Sequence, residues 1–223
     1  MLCENTCSDE LLIILKKIQA DDLFKNHLLV GGTALALQIG HRRSIDIDLF
    51  TLHDQDNSKI LDYLEKNFNK IVIDNNQDNI LQVFVDDIKI DFVKATGKLI
   101  KEPICENGLK ICSIHDIAGM KLNTINRETG RRKAKDYIDI AYLINELSLS
   151  KMFEIYKWKY DKDDVYNVKL DLSDVCKINP YSWQEVDMIR KDLFVSDVPK
   201  IIISALEQYN KENGYTVKKR FKK

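Results

Sequence analysis

Three acidic residues and a glycine pair are the positions in this sequence best placed to do chemistry. In Arg42-Arg43-Ser44-Ile45-Asp46-Ile47-Asp48-Leu49-Phe50, polar and apolar residues alternate as they do along a β-strand. Ile45, Ile47 and Leu49 are then expected on a core face, with Arg42, Ser44, Asp46 and Asp48 on the other. Two carboxylates two residues apart on one strand face repel each other, which folding alone does not favour. A divalent cation between them reverses the sign, and hard Mg²⁺ takes carboxylate oxygens while leaving positions for water and phosphate. A third acid, Asp91, lies opposite the apolar set Ile88, Ile90 and Phe92, with Lys89 and Val93 on either side. An isolated acid in such a run is costly if covered and unpaired. It makes sense as the third corner of a two-metal site, in which one ion holds a triphosphate and the other lowers the pKa of an attacking hydroxyl.

Gly31-Gly32 supplies the other half of that chemistry. Placed between a strand and a helix, residues without Cβ let the backbone approach a phosphate closely. The helix N-terminus then points N–H groups and positive dipole at it. Thr33 adds a hydroxyl donor. A Gly-Gly pair alone is usually a turn, and an Asp-x-Asp alone is often a solvated strand face. Their combination is far more specific: Gly-Gly, a helix, Arg-x-Ser-x-Asp-x-Asp on a strand, then a distant Asp on a hairpin.

With these residues in place the sequence resembles the nucleotidyltransferase fold superfamily. Within it, Gly31-Gly32-Thr33-Ala34-Leu35-Ala36-Leu37 followed by His41-Arg42-Arg43-Ser44-Ile45-Asp46-Ile47-Asp48-Leu49-Phe50 resembles the AbiEii/AbiGii toxin family. Those proteins are NTP transferases associated with phage abortive infection and type IV toxin–antitoxin pairs. The likeness covers roughly residues 28–147. It implies a role for Asp116 and Lys121 in Asp-Ile-Ala-Gly-Met-Lys, and for the run Lys135-Asp136-Tyr137-Ile138-Asp139. By that resemblance Lys121 contacts NTP phosphates, and Asp136 or Asp139 sits near the nucleotide or acceptor. Each has a structural alternative: Ser113 and Asp116 have the spacing of a capping box, and Lys135 and Asp139 that of a surface i,i+4 pair. Arg42 could equally be a surface charge, although it shares parity with Ser44, Asp46 and Asp48.

Elements that would position these groups can be read along the chain. Ser8 caps a helix whose apolar face is Leu11, Ile14, Leu15 and Ile18. Strands are expected at 27–30 and 44–51, with a short helix at 33–38 between them. A helix over 58–68, a strand at 71–73 and a hairpin of 80–85 with 88–93 follow. A two-residue turn at Asp86-Asp87 pairs Val85 with Ile88, Val83 with Ile90 and Leu81 with Phe92. Beyond Pro103 a short strand at 109–112 precedes helices from Ser113, over 131–147, 152–160 and 165–176, and from Ser182 onwards. The expected fold is α+β, a polymerase-beta-like mixed sheet with flanking helices followed by a mainly helical C-terminal part. Residues 1–100 form the nucleotidyltransferase core, and 101–223 the helical domain that completes the nucleotide and acceptor site.

Composition bounds the reading. At 223 residues, 44% hydrophobic, with 8 Gly and 3 Pro, the chain can build a real core and is not largely disordered. No apolar run approaches the ~20 residues that span a bilayer, and no signal-peptide pattern opens the sequence, so a cytoplasmic protein with no membrane partner is expected. Five scattered cysteines read as reduced thiols, and Cys3 and Cys7 lack the partners of a zinc site. The four histidines cluster with no acids or cysteines in sequence and receive no catalytic role. Tyr156, Trp158, Tyr160, Tyr166, Tyr181 and Trp183 read as helix packing rather than base-stacking platforms. Net charge is −1, yet residues 1–95 carry 10 basic and 16 acidic side chains while 96–223 carry 24 basic and 19 acidic. Arg131-Arg132-Lys133 and the tail Lys218–Lys223 belong to the basic part, which favours an RNA acceptor.

The expectation is a Mg²⁺-dependent nucleotidyltransferase. An acceptor hydroxyl attacks the α-phosphate of an NTP in line and pyrophosphate leaves. Asp46, Asp48 and Asp91 hold two metal ions (Mn²⁺ being an alternative to Mg²⁺), Asp91 activates the nucleophile, and Lys121 neutralises developing charge. Gly31, Gly32, Thr33, Arg42, Ser44, Lys121, Asp136 and Asp139 form the nucleotide site. Rival readings are a small-molecule acceptor such as an aminoglycoside, a protein hydroxyl, or a non-catalytic nucleotide-binding module. A cognate antitoxin is implied by the resemblance alone.

Overall fold

The computed structural model describes residues 1–126 and 132–214. Helix α1 (Asp9–Gln19) starts where Ser8 Oγ accepts the Leu11 N–H, and it buries Leu11, Ile14, Leu15 and Ile18. Strand β1 (Leu28–Val30) runs directly into helix α2 (Gly31–Ile39), and strand β2 (Asp46–Thr51) returns antiparallel beside β1. Helix α3 (Asn57–Asn67), capped by Asp56, leads to strands β3 (Ile71–Gln77), β4 (Ile80–Val85) and β5 (Ile88–Lys94). The β4–β5 hairpin has the expected register, Val85 to Ile88, Val83 to Ile90 and Leu81 to Phe92. Its turn residues Asp86 and Asp87 both have positive φ, 46° and 70°, the primed-turn geometry that matches strand twist.

Strands β6 (Ile104–Glu106) and β7 (Leu109–Ile111) complete a seven-stranded mixed sheet in the order β3-β4-β5-β2-β1-β7-β6. The pairs β2–β5 and β1–β7 are parallel and the rest antiparallel. Helices α4 (Ile114–Thr124), α5 (Ala134–Leu147), α6 (Leu149–Tyr160), α7 (Tyr166–Ser173), α8 (Pro180–Gln184) and α9 (Val198–Glu212) follow. One continuous apolar cluster runs from Leu11 in α1 through Leu49, Phe92 and Tyr137 to Leu206 in α9. The architecture is the expected mixed sheet with flanking helices and a mainly helical C-terminal part. No helix among the described residues is long and apolar enough to cross a membrane.

Several local expectations need correction. Ile45 is 74% exposed instead of buried, because pairing with β5 begins only at Asp46 and nothing covers the residue before it. Strand β3 runs on through Asp74-Asn75-Asn76-Gln77, whose polar side chains read as turn. Strand β6 is an element that the sequence pattern does not announce, since three residues paired to β7 leave almost no periodic signal. Helix α5 starts at Ala134, with Arg131 outside the described residues. The chain from Ser182 is not one helix: α8 ends at Gln184, and an irregular stretch bonds back to 41–43 before α9. Of the aromatics expected in packing, Trp158, Tyr166 and Tyr181 are largely exposed. The Lys218–Lys223 tail lies outside the described residues.

Candidate active site

Register decides the site. In the parallel pair β2–β5, Asp48 stands beside Asp91 and Asp46 beside Lys89; in β1–β2, Val30 stands beside Asp48. The residue after Val30 therefore turns into α2 directly against the Asp48 carboxylate. A Cβ on Gly31 would lie 2.1 Å from Asp48 Oδ2, and one on Gly32 would lie 2.4 Å from an Arg42 guanidinium nitrogen. Gly31 also has φ of +71°, which favours glycine. The glycines are thus required by the site's own carboxylate and guanidinium. Helix α2 has no side-chain cap, so its first N–H groups are open toward the acids.

A cavity of about 390 Å³ is lined by Asp46, Asp48 and Asp91 from the sheet, Gly31 and Gly32 from α2, and Lys121 and Asp136 from α4 and α5. Of the residues expected in the site, Thr33 and Asp139 do not line it. Thr33 is fully buried, its hydroxyl 2.9 Å from Ser44 Oγ and against the Asp46 carbonyl, where it ties α2 to the start of β2. Asp139 lies behind the wall at the centre of a buried charge network. Arg42 donates Nε to Asp139 Oδ1 at 2.7 Å and a second N–H to Oδ2 at 2.9 Å. His41 Nε2 lies 2.8 Å from Oδ1, and Lys121 Nζ lies 2.6 Å from Oδ2 and 2.8 Å from Asp136 Oδ1. Burial alone would raise the Asp139 carboxyl; the Arg42 and Lys121 charges and the His41 bond reverse this and hold it well below 3.8. Two cations and two acids balance, and they fasten α4 and α5 to the 41–42 segment. His41 is part of this network, which local sequence gave no means to find. Asp116 lies elsewhere, taking N–H bonds from Ile100 and Lys101 and an ammonium from Lys159 while Ser113 caps its helix.

The three sheet acids differ in their partners. Asp91 is held by Lys89 Nζ at 2.5 Å and Gln82 Nε2 at 3.0 Å, and Asp46 by Lys135 Nζ at 3.2 Å. No hydrogen-bond or ion-pair partner meets the Asp48 carboxylate among the described residues. Burial and the nearby Asp91 charge push its pKa up to about 6. Sequence reasoning missed Lys135 as a partner of Asp46, since local spacing pointed to Asp139 instead.

The sequence matches the family described as "Nucleotidyl transferase AbiEii toxin, Type IV TA system" over residues 13–194. The chain belongs to the AbiEii family. It is a nucleotidyltransferase, with an NTP as substrate. A relative from Aquifex aeolicus (strain VF5), the uncharacterized protein aq_aa25, is 28% identical over 187 residues, covering 78% of this chain and 88% of that protein. Two crystal structures from Helicobacter pylori share the fold. JHP933 has a TM-score of 0.57 at 18% identity, covering 92% of this chain and 94% of its own. A provisionally assigned nucleotidyltransferase has a TM-score of 0.53 at 20% identity, covering 92% and 96%.

Nucleotidyltransferases of this kind usually act with a divalent metal. Among the described residues no three acid, histidine or cysteine side chains are gathered into a ready-made metal cage. The donor chemistry nevertheless fits. Asp48 is a half-buried carboxylate with no hydrogen-bond or ion-pair partner among the described residues, flanked by two more acids in one cavity, and Mg²⁺ shares its shell with water and phosphate instead of requiring a closed protein cage.

Proposed function

We propose that this AbiEii-family protein transfers a nucleoside monophosphate from an NTP to a hydroxyl of an RNA acceptor, with Mg²⁺ held by Asp46, Asp48 and Asp91. The observation that carries the reading is Asp48. It sits beside Asp46 and Asp91 in the cavity, against the uncapped start of α2, and makes no hydrogen bond or ion pair among the described residues. Mg²⁺ bound there would supply positive charge to the triphosphate and lower the pKa of the acceptor hydroxyl. The chain does the rest. Gly31, Gly32 and the α2 N-terminus orient the phosphates. Asp91, fixed by Lys89 and Gln82, takes the proton from the attacking hydroxyl. Arg42, Lys121, Asp136 and Asp139 keep the helical wall at the right distance from the sheet.

Residues 1–100 serve as the catalytic core, and 101–223 complete the nucleotide and acceptor site with Lys133 and Lys135, behind which Lys121 holds Asp136. The excess of basic residues after position 95 favours a polyanionic acceptor over a small molecule or protein hydroxyl. We further place the protein in the cytoplasm with a cognate antitoxin, following its family. Offering each of the four α-labelled NTPs to total RNA, with Asp46→Asn as control, tests the reading. Label is expected in RNA with the wild type only; label appearing in protein or a small molecule instead would replace the acceptor.

A further inference from the structure

Lys121, the residue expected to meet NTP phosphates, has little charge to offer them. Its side chain is 7% exposed and its ammonium is wedged between the carboxylates of Asp136 and Asp139. Arg42, 4% exposed, is forked onto Asp139. Among the described residues, the cations that line the cavity and also reach solvent are Lys89, Lys133 and Lys135. Lys89 is held on Asp91 at 2.5 Å. Lys135 is different: 38% exposed, it reaches from α5 to Asp46 Oδ2 at 3.2 Å, a long contact for a charged pair.

Its place on the helix is also unfavourable. Lys135 stands in the first turn of α5, where the positive end of the helix disfavours a cation, and the preceding Lys133 caps nothing. Asp136 in the same turn is bound by Lys121, so a second anion beside this turn would relieve both. Asp46 provides it in the metal-free protein. Once Asp46 turns to a divalent cation, Lys135 loses its partner and its ammonium is left facing the cavity that Gly31 and Gly32 also line.

We infer that Lys135 binds the triphosphate of the NTP, and that its bond to Asp46 is a placeholder released when the site is loaded. This rests on the nucleotidyltransferase reading of the cavity. Lys121 is then a positioning residue that holds Asp136 and Asp139.

Calorimetric titration of the full chain with inorganic tripolyphosphate, first without metal and then with Mg²⁺, tests this. Lys135→Ala is expected to weaken binding about tenfold and Lys135→Arg to restore most of it, with the thermal midpoint unchanged in both. Without metal, Asp46→Asn is expected to tighten binding about threefold or more, by releasing Lys135 and by removing a like charge, and adding Lys135→Ala is expected to cut that gain. Equal affinity in Lys135→Ala and wild type, a gain undiminished in the double variant, or a fall in thermal midpoint that accompanies the lost affinity overturns the inference. So does a wild type that binds no tripolyphosphate. Failure of nucleotide transfer to every acceptor would instead overturn the functional reading on which the inference rests.

Discussion

At the scale of single residues, the site divides into groups that stabilise the fold and groups that work against it. Asp139 belongs to the first kind. It is fully buried and satisfies Arg42, Lys121 and His41 together. Replacing it with Asn leaves two buried cations with one carboxylate, and the expected loss is about 3–5 kcal/mol in urea unfolding; a change within about 1 kcal/mol would show that the network carries no stability. Asp48 is of the second kind. Folding raises its pKa from 3.8 to about 6, so its charge destabilises the metal-free fold above that range. Asp48→Asn is expected to stabilise the metal-free protein by about 1–3 kcal/mol while abolishing transfer, and a lower thermal midpoint would contradict this. His27 adds a pH dependence. It packs edge-on against Phe24 and Phe92, and burial, partly offset by Gln55, lowers its pKa below 6.5. The unfolded chain therefore takes a proton that the fold refuses, and stability is lost as pH falls through 6.5. Relative to His27→Gln, the wild type is expected to lose up to about 1.4 kcal/mol per pH unit below that point. A pH-independent difference between the two proteins would rule this out.

At the scale of elements, alternation and caps were the legible signals. Ile47 and Leu49 turned inward and Asp46 and Asp48 outward because β2 is paired on both sides, so strand periodicity applies there. Ser8 and Ser113 each cap the helix that follows, since a serine hydroxyl before a helical run meets a local backbone need. The hairpin register followed from two residues, Asp86 and Asp87, even though neither is glycine. Both pay for the turn with positive φ, and Asp87 has only an exposed ion pair with Lys70 in return. Asp87→Gly is expected to raise stability by about 0.5–1 kcal/mol in thermal unfolding, and a loss would mean the ion pair outweighs backbone strain. What sequence spacing could not reveal is long-range. The Arg42–Asp139 fork joins residues 97 positions apart, and Lys135 chose Asp46, 89 positions away, over its helical neighbour Asp139. The irregular stretch after α8 is likewise held by contacts to residues 41–43, not by any local pattern.

At the scale of the molecule, a near-zero net charge conceals an acidic sheet-rich part facing a basic helical part, and the cavity opens where they meet. The sheet contributes Asp46, Asp48 and Asp91 beside Lys89, and the helical side contributes Lys121, Lys133 and Lys135 beside Asp136. That division is what a triphosphate and its counter-ion require from opposite walls. The resemblance carried by Gly31-Gly32 and Asp46-Ile47-Asp48 was sufficient to place the chain in its family because those residues fix a strand–helix–strand geometry with little tolerance for substitution. The identity of the acceptor is a property of surfaces, which no short motif encodes. The central claim is therefore tested most directly by incubating wild type and Asp46→Asn with each α-labelled NTP, Mg²⁺ and total RNA, and measuring label retained in the RNA. The account predicts transfer from at least one NTP by the wild type and none by Asp46→Asn. Undiminished transfer by Asp46→Asn would contradict it.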